Sequence, residues 1–161
     1  MKKKTQQTQM KILSIDPAST LGWAVSNSEY GEWDLRTRKD ESMGMKLIRL
    51  RSKLDEMHSL LKIDLVVYER PAGQHKNPII HQSKLIGLIE EWCESNDIEY
   101  RGYSSTEIKK YATGKGNAGK PLMIKTAEEK YNLSNLTDNE ADALHMLNLT
   151  MRDYETTTKS F

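Results

Sequence analysis

Apolar residues fall in short runs along the first third of the chain and recur at helical spacing beyond it. Met10–Ile15 is a mostly apolar run ended by Asp16-Pro17, the pattern of a buried strand. Gly22–Ser26 (GWAVS) and Tyr30–Leu35 (YGEWDL) predict two more strands, joined by a turn at Asn27-Ser28-Glu29. Connections this short make the three an antiparallel meander. Leu47, Leu50, Leu54, Met57 and Leu61 then recur at spacings of three and four. They form one face of a helix running roughly over 43–62.

Asp64–Glu69 (DLVVYE) is compact and β-branched, which predicts a fourth strand. A polar loop with Pro71, Gly73 and Pro78 follows, and Ile80, Leu85, Leu88, Ile89 and Trp92 carry the next helix. Ile98–Tyr103 predicts a fifth strand. Ser104-Ser-Thr-Glu107 is a capping box that opens a short helix, and the glycine-rich stretch Gly114–Gly119 breaks it. Pro121 stands in the first turn of a helix reaching Tyr131, and a last helix runs from about Asp138 to Tyr154. Helical crossovers lead to strands four and five, so both should lie parallel to strand one. The expected fold is α/β: a mixed five-stranded sheet of three antiparallel strands, then parallel strands, flanked by helices. Residues 1–9 are expected to form a flexible basic tail, 10–154 a single domain and 155–161 a C-terminal tail. No internal repeat or interdomain linker interrupts the pattern.

Composition narrows the function classes. Apolar residues make up 37% and charged residues 29% of the chain, and no apolar run nears the ~18 residues of a membrane span. The basic N-terminus, Met1–Gln7, has no apolar segment behind it and is not a secretory signal. The single cysteine, Cys93, forms no internal disulfide, and no Cys/His zinc spacing exists. A cytoplasmic setting is expected. Net charge is only +1, yet its distribution is uneven. Between Ser104 and Thr126, Lys109, Lys110, Lys115, Lys120 and Lys125 face one acid, Glu107. Local basic clustering of this kind suits a phosphate backbone.

Three acids stand where such a sheet would gather them. Asp16 ends the first strand, Glu69 ends the fourth, and Asp142 lies on the last helix with Asp138 one turn earlier on the same face. Each also has an ordinary structural reading: Asp16-Pro17 initiates a turn, Glu69 is a strand-end surface acid, and Asp138 caps a helix. Asp142, set among Ala141, Ala143, Leu144 and Leu147, lacks such a reading. Carboxylates crowded into one cleft repel each other unless a cation neutralises them. Oxygen ligands favour Mg²⁺ or Mn²⁺. Two such ions activate water and stabilise the leaving oxygen of a phosphodiester, which is the chemistry of nucleic-acid hydrolysis.

Four segments together resemble the RuvC family of Holliday-junction resolvases, over about 12–149. They are Ile15–Ala24 (IDPASTLGWA), Val66–Glu69, Ile108–Lys120 (IKKYATGKGNAGK) and Glu140–Leu144 (EADAL). The resemblance implies an RNase H-like fold, a homodimer, and divalent-metal cleavage of four-way junctions, extending to flaps and forks. It implies Asp16, Glu69 and Asp142 as metal ligands for two Mg²⁺ or Mn²⁺ ions. It also implies Lys109 and Lys120 as catalytic lysines near the scissile phosphate, with Lys110, Lys115 and Arg70 as further DNA contacts. The family's fourth ligand stands three residues before the last. Here that position is Asn139, with Asp138 beside it, and a carboxylate's charge favours Asp138. Cellular members carry an aromatic wedge soon after the strand-four glutamate, whereas this chain reads Arg70-Pro71-Ala72-Gly73. In that respect it resembles the shorter members found in phages, which implies a host-cell cytoplasm.

Competing readings are weaker. Gly114–Pro121 nearly matches a phosphate-binding loop, but Pro121 lacks the hydroxyl such a loop places on Mg²⁺, and the segment follows a helix. An actin-like ATPase needs a second large lobe. A nuclease for RNA:DNA hybrids or pre-rRNA, and a branched-DNA-binding protein without catalysis, stay open. Gly114, Gly116 and Gly119 allow close approach of backbone to a ligand, or form a solvated loop. His145 stands close enough to Asp142 to reach a metal site, although packing is the commoner role; His75 and His81 flank a polar loop and are expected at the surface, solvated or against DNA, and Trp23 and Trp33 in the core or on a sheet face.

Overall fold

A computed structural model of the chain describes residues 9–71 and 76–158. The strands are β1 (Ile12–Asp16), β2 (Thr20–Val25), β3 (Tyr30–Asp34), β4 (Leu65–Glu69) and β5 (Glu99–Tyr103). The helices are α1 (Met43–Leu61), α2 (Lys76–Ser95), α3 (Ser105–Thr113), α4 (Lys120–Tyr131) and α5 (Asp138–Thr158). Spatial order in the sheet is β3-β2-β1-β4-β5. The first three strands are antiparallel, and β4 and β5 run parallel to β1. This is the expected mixed sheet.

The central strands are apolar on both sides because helices cover both faces. Leu13, Ile15, Val66 and Tyr68 point into a core shared with Leu50 and Leu54 of α1 and Leu85, Ile89 and Trp92 of α2. Ile12, Leu65 and Val67 point the other way, against Ile108, Met123, Ala141 and Leu144 of α3, α4 and α5. Alternate residues of one strand thus serve two cores. Helix α3 opens on the Ser104/Glu107 capping box and closes on Gly114, whose φ of 81° is left-handed. Among the described residues, no helix is long and apolar enough to cross a membrane.

Some boundaries differ from expectation. Helix α2 begins at Lys76, so Pro78 lies inside its first turn, not in a loop. Proline is tolerated there because a first-turn N–H has no intrahelical acceptor. Helix α5 continues to Thr158, beyond the expected end at Tyr154. Of the tails expected at 1–9 and 155–161, residues 1–8 and 159–161 lie outside the described residues, as do Gly73 and His75.

Candidate active site

Adjacent parallel strands β1 and β4 open at the same sheet edge. Ile15 is level with Tyr68, so Asp16 and Glu69 emerge side by side. Helix α5 packs under this edge, and its register is pinned by Ser14, whose buried hydroxyl donates to the Ala143 carbonyl at 2.8 Å. That bond brings Asp142 beneath the two strand ends. One carboxylate oxygen from each of Asp16, Glu69 and Asp142 lies within 4.8 Å of the others. The donor set is all oxygen and suits a hard divalent cation.

The electrostatics fit a cation as well. Asp16 is only 8% exposed. Burial, then the charges of Asp142, Glu69 and Asp138, push its pKa well above the usual carboxylate range, while Lys120 opposes the rise. Asp142 is pushed up to about 7, first by burial and then by Glu69 and Asp138, against Lys109 and Lys120. Glu69 is raised by burial but eased by a Ser105 hydrogen bond and by Lys109. Its charge in turn raises both Asp16 and Asp142.

These shifts set a pH dependence for the protein without cation. A carboxyl whose folded pKa is raised contributes stability below its unfolded pKa and loses it as pH rises through the folded value. For Asp142 the loss runs from about pH 4 to beyond the shifted value of about 7. With chelator present, Asp142→Asn is expected to stabilise the protein at pH 8 by on the order of 2 kcal/mol, raising Tm by roughly 4–8 °C. The gain should shrink at pH 4 and under millimolar Mg²⁺. Thermal melts at the two pH values check this, and a mutant that gains nothing at pH 8 contradicts the repulsion described.

The expected lysines separate into groups. Lys109 on α3 lies close enough to lower the pKa values of Glu69 and Asp142. Lys120 at the start of α4 pairs with Asp138 at 3.1 Å, and its own pKa rises through that bond. Lys110, on the same helix as Lys109, instead lines a cavity of about 510 Å³ with Tyr103, Tyr111 and Arg152. Lys115 is exposed in the α3–α4 turn, and Arg70 is exposed with its stem against Gly102. Gly114 serves the helix cap, and a Cβ on Gly116 would meet Thr106 at 2.9 Å. Both therefore answer to the chain's own packing.

Relatives place this geometry. The crossover junction endodeoxyribonuclease RuvC of Brachyspira hyodysenteriae is 27% identical over 143 residues, spanning 84% of this chain and 89% of that protein. The RuvC of Rhodopirellula baltica is 26% identical over 144 residues, spanning 83% and 81%. Similarity to these RuvC proteins thus runs through more than four-fifths of the chain. Solved structures agree in fold. Thermus thermophilus RuvC superposes on this chain with a TM-score of 0.69 at 18% identity, covering 84% of this chain and 90% of that one. The same protein in complex with a Holliday junction substrate gives 0.70, at 18% identity and 85% and 90% coverage. The yeast mitochondrial Holliday junction resolvase Ydc2 gives 0.55 at 13% identity, covering 94% and 86%. No protein-family model matches the chain.

The start of α5 is built from Thr137, Asp138, Asn139 and Glu140. Asn139 Nδ2 donates to Glu32 of β3 at 3.1 Å, which engages its amide away from the acid triad. Asp138 shares the face of Asp142, and its charge is felt by both Asp16 and Asp142. Asp138 is not the cap of α5. Thr137 accepts from the Glu140 N–H at 3.1 Å, and Glu140 accepts from the Thr137 N–H at 3.0 Å. The sequence Thr-x-x-Glu carries that capping-box signal. His145 is buried between α4 and α5, with its ring nitrogens 2.9 Å from the Tyr131 hydroxyl and 2.9 Å from the Met123 carbonyl. It is a packing residue. Ser14 and Ser105 are the polar residues that sequence reasoning missed, and only Ser14, a hydroxyl inside an apolar strand, gave any signal.

Proposed function

We propose that this chain is a structure-selective DNA endonuclease that resolves four-way junctions and cuts other branched DNA by metal-dependent phosphodiester hydrolysis. The observation that carries this reading is the convergence of Asp16, Glu69 and Asp142 within 4.8 Å beside Lys109 and Lys120. The relatives' names support it, and so does a structural neighbour described with a Holliday junction substrate.

Asp16, Glu69, Asp142 and Asp138 would hold Mg²⁺ or Mn²⁺, two ions per site. Such ions, when bound, supply an activated water and neutralise the leaving oxygen. The chain's own groups do the positioning. The β1 and β4 strand ends hold Asp16 and Glu69 rigidly, and Ser105 orients Glu69. Lys120 pairs with Asp138 beside the site. Lys109 and Lys120 donate to the phosphate under attack and stabilise the charge that grows on its oxygens. Lys110, Lys115 and Arg70 add phosphate contacts away from the cut. The water oxygen bonds to phosphorus and the bond to the 3′ oxygen breaks, leaving 5′-phosphate and 3′-hydroxyl ends. A homodimer would place two such sites on opposing strands of a two-fold junction. Its setting would be the cytoplasm, that of the host if the source is a phage.

A synthetic four-way junction, a flap, a fork and an RNA:DNA hybrid, each with and without Mg²⁺ or Mn²⁺, provide the test. Paired nicks in the junction that require the cation are expected. Preference for the hybrid would redirect the reading to a ribonuclease, and no cleavage of any substrate would overturn it.

A further inference from the structure

Ser19, Lys46 and His81 form a second polar cluster that the acid centre does not use. Lys46 lies on α1 and is only 8% exposed. Its Nζ is 2.9 Å from Ser19 Oγ and 2.8 Å from His81 Nε2. Among the described residues no carboxylate pairs with it, and the undescribed stretches 1–8, 72–75 and 159–161 contain no acidic side chain. An ammonium taken out of water without an anion is costly.

With Lys46 as an ammonium, which only donates, His81 Nε2 accepts and the ring hydrogen sits on Nδ1. Burial first, then Lys46 and Lys84, lower the His81 pKa and keep the ring neutral. Ser19 Oγ accepts from Lys46 and keeps its own hydrogen to give. The cluster therefore offers the third Lys46 N–H, His81 Nδ1–H, the Ser19 hydroxyl and the nearby Lys84 ammonium. Every group is a donor, and a donor-only set of positive charge recognises an anion.

Its position says which anion. Ser19 lies in the β1–β2 turn three residues after Asp16, and its carbonyl is fixed by the Leu35 N–H at 2.8 Å. Helices α1 and α2 cover the sheet face opposite α3, α4 and α5. Lys109 and Lys120 thus flank the acids from one face, and the Ser19–Lys46–His81 cluster flanks them from the other. A nucleic-acid strand crossing this edge would meet donors on both sides of the acids.

We propose that Ser19, Lys46 and His81, with Lys84, form a phosphate subsite that grips the DNA backbone on the far side of the cut from Lys109 and Lys120. This rests on the nuclease reading above and adds specific positioning residues to it. The test is binding of a labelled four-way junction, with Ca²⁺ in place of Mg²⁺, across a series of salt concentrations. Lys46→Gln is expected to weaken Kd by about tenfold and to lower the slope of log K against log salt by about one. Exposed Lys84→Gln should lower the slope in the same direction, and His81→Leu should weaken binding severalfold with little change in slope. Neutral methylphosphonate linkages placed one at a time should cost the wild type affinity at one position where Lys46→Gln loses nothing more. Lys84→Gln and His81→Leu carry the test if Lys46→Gln does not fold. Salt slopes and affinities equal to wild type in folded variants overturn the subsite while junction cleavage stands. A wild type that binds no branched DNA overturns both readings.

Discussion

Asp16→Asn is expected to reduce cleavage of a four-way junction by on the order of 1000-fold or more while leaving junction binding intact. Such a loss corresponds to about 4 kcal/mol of transition-state stabilisation. Asp16 is the most buried of the three clustered acids and the one on which the charges of Asp142, Glu69 and Asp138 all bear. Asparagine keeps the shape and one acceptor oxygen but removes the charge that attracts a cation. Binding should survive because the proposed basic contacts, among them Lys109, Lys115 and Lys120, are untouched and one negative charge near them is gone. Without cation the variant should also be more stable than wild type, since a repelling charge has been removed. Single-turnover cleavage and gel-shift affinity, measured on the same preparation, separate the effects. Cutting within tenfold of the wild-type rate would mean that the three acids do not form the reaction centre.

Much of this was legible before any coordinates. Short apolar runs with tight turns gave the meander, and helical crossovers gave the parallel strands. Asp16 and Glu69 could be placed side by side because both end runs that must be neighbours. Lys46 shows why other features were not. It lies four residues before Leu50 and eight before Leu54, on one helical stripe, and all three are buried. Spacing alone marks it as inward-facing, but residue type argues for solvent. Only its partners resolve the conflict, and they come from residues 27 and 35 positions away. His81 was expected at the surface for the same reason. Distant polar contacts leave no periodic trace.

The fourth acid illustrates the limit from another side. Sequence spacing pointed to Asn139 as the fourth ligand, and charge favoured its neighbour Asp138. Asn139 is engaged by Glu32, while Asp138 pairs with Lys120 and stands outside the group of three acids whose oxygens lie within 4.8 Å of one another, although its charge raises the pKa of both Asp16 and Asp142. The Lys120–Asp138 pair is largely solvent-exposed on the lysine side, so its strength as an isolated ion pair is small. The charge of Lys120 nonetheless reaches the cluster, since it lowers the pKa of both Asp16 and Asp142.

Gly22→Ala is expected to disable the protein without touching an acid. Gly22 is level with Asp16 on β1 and with Glu32 on β3, and the first turn of α5 lies directly against it. A Cβ there would sit 2.1 Å from the Asn139 carbonyl oxygen and 2.3 Å from its carbonyl carbon. Both are backbone atoms, so no side-chain rotation relieves the overlap, and α5 must move off the sheet. Overpacking of this severity costs about 3 kcal/mol or more, a Tm loss of roughly 6–12 °C. The same displacement carries Asp142 away from Asp16, so cleavage should fall at least about 100-fold even at temperatures where the variant is folded. An isolated glycine inside a strand marks such a close approach of backbone, which makes Gly22 part of the site's construction. Melting curves together with cleavage rates at low temperature decide the matter. Wild-type activity in a merely destabilised Gly22→Ala protein would show that the seating of α5 against β2 does not set the spacing of the acids.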